Sequence, residues 1–244
     1  MRALTDADLL RWRLPSFKRK VDRARARVEA MLAACERPPY VALSGGKDSL
    51  VTLALVLEQR PGIDAVFCDD ELELPCTVPY LRALATVLPF RLRIGKCYSM
   101  APIDWIVPWT EKPFFRPPEP DMEDFGASIK AVAGSAGYGG SFVGLRAEEA
   151  MIRELNLRKR GMLYQTVSGQ WHCQPIARWT VDEVWAAIAG MGLPYNPGYD
   201  QMAAAGIERE RQRIGALPLS PGWILERTWP QMWRDLRARY GERW

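Results

Sequence analysis

The stretch Tyr40-Val41-Ala42-Leu43-Ser44-Gly45-Gly46-Lys47-Asp48-Ser49 constrains this chain more than any other. Four residues of strand character run into a serine and two glycines, and an apolar segment of helical length follows from Lys47 to about Gln59. Two adjacent residues without a Cβ let backbone N–H groups turn toward an anion at close range. The N-terminus of the following helix adds partial positive charge and unpaired donors. Ser44 and Ser49 offer hydroxyls and Lys47 a mobile cation. Asp48 offers an N-cap or a carboxylate for a magnesium ion carried on phosphates. The predicted unit is strand, phosphate loop, helix. Its phosphate-binding residues are Ser44, Gly45, Gly46, Lys47, Asp48 and Ser49. The glycine spacing is wrong for a Walker A loop, and Asp48 follows Lys47 where that motif needs Ser or Thr.

The same βα rhythm repeats downstream. Ile63 to Cys68 reads as a strand that runs into Asp69-Asp70-Glu71. A helix from about Pro79 to Val87 and a strand from Phe90 to Ile94 follow. Alternation of this kind predicts a doubly wound, mostly parallel α/β sheet, with ligands at the carboxyl ends of its strands, where Asp69 stands. Phe142-Val143-Gly144-Leu145-Arg146 is a second strand-glycine-helix signal. Arg146 and Arg153, seven residues apart, are expected two turns apart on one helix face, close enough to serve one polyphosphate. Gln170 to Ile176 reads as a further strand, and Thr180 with Glu183 as the capping box of the next helix.

Around this core, the boundaries read as a helical N-terminal extension (1–36), a nucleotide-binding α/β domain (37–200) and a basic, aromatic C-terminal extension (201–244). The domain carries a long flap at about 98–140, where periodicity fades. Residues 5–36 read as helical, with Thr5 and Ser16 as N-caps and Phe17, Val21, Ala24, Val28, Met31, Leu32 and Cys35 on one face. The opposite face is basic, which suits either solvent or a polyanion such as nucleic acid. Near the C-terminus, Thr228 and Gln231 are expected to form a capping box. Trp229, Trp233, Leu236 and Tyr240 form an aromatic stripe for the core or for a homo-oligomer contact.

Composition narrows the function classes. The 244 residues are 48% hydrophobic and 25% charged with a net charge of +4, which suits an anionic ligand without demanding nucleic acid. No apolar run approaches the ~20 residues of a membrane span and the N-terminus lacks a signal-peptide core, so the cytoplasm is expected, without a membrane partner. Cys35, Cys68, Cys76, Cys97 and Cys173 are scattered, with no close pair for a structural zinc or a disulfide framework. Of the five, Cys76 is the one expected at the sheet's carboxyl edge. His172 and Cys173 are neighbours on a strand and point to opposite faces, a poor geometry for a nucleophile-base pair.

Taken together, SGGKDS, the acidic segment from Asp69 to Pro75, Gly144-Leu145-Arg146 with Arg153, and Leu193-Pro194-Tyr195-Asn196-Pro197-Gly198-Tyr199-Asp200 resemble the phosphoadenosine phosphosulfate (PAPS) reductase family. That family lies among the PP-loop ATP pyrophosphatases, and the resemblance runs from about residue 36 to 215. It implies an adenine nucleotide α-hydrolase-like fold, with Asp69 in the place of a family aspartate and with Gly144, Leu145, Arg146 and Arg153 near the nucleotide's anionic groups. Asp70 and Glu71 depart from the family's Thr-Gly, Cys76 from its glutamate and Ala150 from its serine. Ala216 and Leu219 stand where many relatives carry cysteines, and the last cysteine is Cys173, so neither an iron-sulfur cluster nor the family's C-terminal thiol is expected. The expected function is therefore cleavage of ATP at the α-phosphate, with magnesium and with Lys47, Asp48 and Arg146 as catalytic residues. Pyrophosphate would leave and the adenylyl group would pass to a small-molecule or nucleobase acceptor. The alternatives are a PAPS or adenylylsulfate reductase or sulfurtransferase that borrows a thiol, and a catalytically silent nucleotide-binding or nucleic-acid-associated protein.

Overall fold

Along the first two strands the apolar residues divide by parity, and both sets are buried in the computed structural model, which describes residues 3–69, 73–97, 125–134, 137–214 and 222–240. Val41, Leu43, Ala65 and Phe67 enter the main core, whereas Tyr40 and Val66, with Ala42 and Cys68 against them, form a smaller cluster on the opposite face. Strands buried on both faces belong at the centre of a parallel sheet. That is where they lie. The strands β1 (Pro39–Ala42), β2 (Asp64–Asp69), β3 (Arg91–Lys96), β4 (Gly140–Val143), β5 (Leu163–Gln165) and β6 (Trp171–Cys173) form one sheet in the order β3-β2-β1-β4-β6-β5. All pairings are parallel except β5 with β6 at the edge. The chain winds one way from β1 through β2 to β3 and the other way to β4 and β6, so the sheet's switch point lies between β1 and β4. Ligands of such sheets bind outside the carboxyl ends of the strands at that point.

On the main face lie α2 (Pro15–Ala34), α3 (Lys47–Leu57), α4 (Thr77–Val87) and α7 (Val181–Met191). The helix α3 is apolar on all sides, with Val51, Leu53, Leu55 and Val56 fully buried, as a helix enclosed by other layers must be. Burial of each such side chain contributes roughly 1.5–3 kcal/mol. The phosphate loop thus springs from a rigid centre. The opposite face is covered by α5 (Phe125–Ala133), whose Ile129 and Val132 pack on Tyr40, Val66 and Tyr138. This helix forms within the expected flap. Its Ile129 and Val132 dock on the sheet from far along the chain, a tertiary contact that local periodicity does not announce. Residues 98–124 of that flap lie outside the described residues.

The N-terminal segment is two helices instead of one. Pro15 lacks an N–H, so α1 (Asp6–Arg13) ends before it and α2 begins with the proline in its first turn, which also places Ser16 inside the helix. Thr5 caps α1 as expected, with Asp8 closing the capping box. Phe17, Val21, Ala24, Val28 and Met31 form the buried stripe of α2. Much of its basic face is occupied within the chain: Lys20 binds Glu183, Arg25 binds Glu58 and Arg27 donates to the Pro175 carbonyl.

Two further expectations are corrected. The strand predicted over 170–176 is only Trp171–Cys173, because Gln170 closes the hairpin turn from β5 by accepting from Thr166 N, and the chain turns again after Cys173, where Ala177 N donates to the Gln174 carbonyl. Thr228 and Gln231 form no capping box. Thr228 is the last residue of α9 (Gly222–Thr228), Pro230 opens α10 (Pro230–Tyr240), and Gln231 bonds Asp235 and Arg234 instead. Of the aromatic stripe, Trp233 is buried and Trp229 packs against the core, while the side chains of Leu236 and Tyr240 lie outside the described residues. Among the described residues no helix is long and apolar enough to cross a membrane.

An ion pair ties α1 to the 3-10 turn at Arg209–Arg211. Asp8 is 2% exposed and takes two hydrogen bonds from Arg209, at 2.7 and 2.8 Å, and Arg209 also reaches Asp182 and the Ala3 carbonyl. Burial pushes the Asp8 carboxyl up, but Arg209 and the Thr5 donors outweigh it and hold it below its ordinary value. A carboxyl whose folded pKa is depressed contributes stability above its unfolded pKa, and that contribution fades as pH falls through the folded value. Arg209→Ala, which leaves the carboxylate buried and unpaired, is expected to cost about 3 kcal/mol at neutral pH. The cost should shrink below about pH 4, where the unfolded aspartate protonates. Urea unfolding at both pH values checks this, and an equal cost at both would contradict it.

Candidate nucleotide-binding site

The loop after β1 and the loop after β4 meet at the switch point. Gly45 adopts φ +75°, a left-handed conformation that a side chain would strain, and it turns the chain from β1 into α3. The loop is laced from within. Ser49 Oγ donates to the Gly46 carbonyl at 2.9 Å and accepts from Ser44 N at 3.2 Å, and the two serine hydroxyls lie 3.2 Å apart. Ser44 and Ser49 therefore hold the loop's shape. First-turn N–H groups of α3 lack intrahelical partners. That of Lys47 donates to Tyr199 Oη at 2.9 Å.

Gly144, at the end of β4, touches the base of the loop. A Cβ at this position would lie 2.6 Å from the Asp48 carbonyl carbon and oxygen and 2.7 Å from Ser49 N. Only a residue without a side chain lets the β4 turn approach α3 so closely.

A chain of alternating charge follows, buried at Lys47 and Arg146 and opening to solvent at Glu148 and Arg153. Lys47 Nζ lies 3.1 Å from Asp48 Oδ2, and the other Asp48 oxygen is held by Arg146 Nε. Arg146, 4% exposed, also binds Glu148 and Glu149, and Glu149 in turn binds Arg153. Burial works against the Arg146 charge, but Asp48, Glu149 and Glu148 overcome it and raise the guanidinium pKa further. Arg146 and Arg153 are not on one helix face. Arg146 is extended, Ala147–Glu149 is a 3-10 turn, Ala150 is extended again, and α6 (Met151–Arg160) starts only at Met151. The two arginines are joined through Glu149, whose carboxylate contacts both.

These elements enclose a cavity of about 360 Å³. Its floor is Ser44, Gly46, Lys47, Asp48 and Ser49, and its apolar wall includes Tyr40, Ala42, Val66, Ile129 and Val143. Gly144, Leu145, Glu149, Arg153 and Arg213 line the remainder. Of the predicted residues, Gly45 shapes the loop and Arg146 lies behind the cavity wall, anchored on Asp48. Asp69 ends β2 with its carbonyl accepting from Cys97 N and is not among the lining residues described.

Sequence reasoning missed several members of the site. Tyr199, on the short α8 (Gly198–Ala204), and Asn196, just before it, both from the Leu193–Asp200 segment, hold the loop from across the fold: Asn196 Nδ2 donates to the Gly45 carbonyl at 3.4 Å. Burial, reinforced by the Asp48 charge, drives the Tyr199 phenol pKa far up, so it stays protonated. The cysteine on the cavity wall is Cys68, whereas Cys76 packs beneath Gly198, its Sγ 2.9 Å from where a Cβ there would stand. Strand parity carries a signal for Cys68, which shares a face with Tyr40, Ala42 and Val66. The His172 and Cys173 side chains diverge as expected, His172 Nδ1 toward Ser141 Oγ and Cys173 Sγ toward the Arg27 carbonyl.

Magnesium was expected on Asp48. Both oxygens of that carboxylate are already paired with cations, and among the described residues no group of three His, Cys, Asp or Glu side chains could hold a metal. Asp48 as placed does not fit direct metal ligation.

A doubly wound parallel sheet with an SGGKDS loop at its switch point defines a PP-loop protein of the adenine nucleotide α-hydrolase-like fold. The family model described as the phosphoadenosine phosphosulfate reductase domain matches residues 38–220, and the chain belongs to that family. It is 28% identical over 210 residues to a phosphoadenosine 5′-phosphosulfate reductase of Xanthomonas oryzae pv. oryzae, covering 82% of this chain and 79% of that protein. An uncharacterized protein of Methanocaldococcus jannaschii is also 28% identical, over 81% of this chain and 40% of its own length. Among solved structures, a PAPS reductase from Candida auris in a phosphate complex aligns with TM-score 0.53 and 19% identity over 72% of this chain and 83% of its own. The FMN adenylyltransferase of Candida glabrata, in complex with FMN and the ATP analog AMPCPP, aligns with TM-score 0.53 and 14% identity over 75% and 60%. These two likenesses concern the fold.

Proposed function

We propose that the protein is an enzyme that binds ATP or a related adenine nucleotide in this cavity and cleaves it at the α-phosphate. Pyrophosphate is released and the adenylyl group passes to an acceptor. The observation that carries this reading is the joining of a phosphate loop to an apolar wall in one cavity. The loop takes the β- and γ-phosphates, the wall of Tyr40, Val66 and Ile129 takes the adenine, and the α-phosphorus lies between them facing the opening. Lys47 supplies positive charge at the leaving pyrophosphate. Asp48, held between Lys47 and Arg146, fixes both cations, so the electrostatic field is in place before the reaction begins. Little covalent chemistry is asked of the protein, since positioning and charge stabilisation do most of the work in such transfers.

The second reading, a sulfonucleotide reductase with a borrowed thiol, is favoured by the named PAPS reductase among the relatives. One experiment separates the two: incubation of the full chain with magnesium and ATP, then with PAPS, followed by mass spectrometry of the products. Pyrophosphate with an adenylyl product from ATP supports the first reading. Sulfite from PAPS in the presence of a thiol donor supports the second, and ADP with phosphate from ATP removes the first.

A further inference from the structure

The thiol on the cavity wall has a neighbour. In the β2–β3 register Cys68 stands opposite Gly95, so Cys97, two residues further on, projects from the same face. The Cys68 thiol hydrogen-bonds that of Cys97, and its Sγ also lies 3.9 Å from the buried Ser128 Oγ of α5. Ser128 reaches this place because Gly95 leaves it open: a Cβ there would stand 2.3 Å from the serine oxygen. Two thiols and a hydroxyl thus converge at the end of β2, with Cys68 half-buried and lining the cavity.

We propose that Cys68 and Cys97 are an oxidisable dithiol in the wall of the nucleotide cavity, with Cys68 the attacking thiol and Cys97 the resolving one. The oxidant is a low-molecular-weight disulfide. The Cys68 thiolate attacks one sulfur of the disulfide, forming a mixed disulfide and expelling one small thiolate. Cys97 gives its proton to solvent and attacks the Cys68 sulfur. The Cys68–Cys97 bond forms, the second small thiolate leaves, and both thiolates take up protons. Two cysteine thiols lose two electrons and one small disulfide gains them.

The chemistry of the surroundings agrees. The Cys97 hydrogen bond, assisted by Ser128, lowers the Cys68 pKa against the effect of burial, whereas burial raises those of Cys35 and Cys76 and pushes Cys173 up to about 12. The thiolate is the attacking species, so Cys68 is the site that a disulfide reaches first. An adduct on Cys68 occupies space on the cavity wall, so nucleotide binding and modification at this position exclude one another. That last link rests on the proposed ATP cavity.

The test uses the full native chain treated with excess oxidised glutathione and digested at timed intervals. Cys68 should react at least about threefold faster than Cys35, Cys76 or Cys173. The end product should be a Cys68–Cys97 linked peptide two hydrogens lighter than the dithiol. In Cys97→Ser the glutathione adduct should remain on Cys68. Equal rates at all sites, or no linked peptide in the wild type, would overturn the dithiol, and the wild-type arm decides even where the variant folds poorly. ATP is then added at saturation, as judged by calorimetry. Slower Cys68 modification supports both proposals. A reactive Cys68 left unprotected by bound ATP keeps the dithiol and moves the nucleotide elsewhere.

Discussion

Replacing Lys47 by alanine lowers ATP affinity about ten- to a hundredfold, corresponding to the roughly 1.5–3 kcal/mol of one charge-assisted phosphate contact. Lys47 is 3% exposed and lies on the cavity floor, its ammonium 3.1 Å from Asp48 and 5.6 Å from the centre of the Tyr199 ring. Truncation removes the loop's cation but leaves Asp48 paired with Arg146, so the domain stays folded. Titration calorimetry beside a thermal melt reads the two effects separately. Unchanged affinity in a folded variant removes Lys47 from the phosphate site.

Gly144→Ala should be more damaging. Its methyl would meet backbone atoms of Asp48 and Ser49 at 2.6–2.7 Å, and backbone, unlike the end of a flexible side chain, cannot swing aside. Either β4 or the start of α3 moves. Overpacking of this kind costs about 1–3 kcal/mol. A displacement of about 1 Å at the loop lowers turnover on the order of a hundredfold. The check pairs denaturant unfolding with pyrophosphate release. A variant with normal stability and normal turnover would show that the approach of β4 to the phosphate loop is dispensable.

How much of this was legible depended on whether the determining contacts were local. SGGKDS could be read because loop, cap and helix start lie within ten residues, and the strands could be read because parity and β-propensity act over five or six. The parallel doubly wound sheet followed from the βα rhythm. Tyr199 and Asn196 were not legible as loop supports. They act on residues about 150 positions away, and the sequence gives their segment but not what it folds against. Arg146 and Arg153 were placed on one helix because helical spacing fitted, whereas the extended Ala150 breaks that helix, leaving Glu149 as the link between the two arginines. The break comes from the tertiary demand that Arg146 turn inward to Asp48, a residue 98 positions earlier. Cys68 rather than Cys76 on the cavity wall follows from parity along β2, which places Cys68 on the face of Tyr40, Ala42 and Val66.

The central claim is that nucleotide phosphates lie on the SGGKDS loop with the base against the Tyr40 face. A crystal structure with α,β-methylene ATP tests it most directly. The account predicts β- and γ-phosphate oxygens at about 3 Å from backbone N–H groups of the loop and from Lys47 Nζ. It also predicts the adenine in contact with Tyr40, Val66 or Ile129, and the α-phosphate facing the opening. A triphosphate bound away from Gly45–Ser49, or reversed so that adenine rests on the loop, would contradict it.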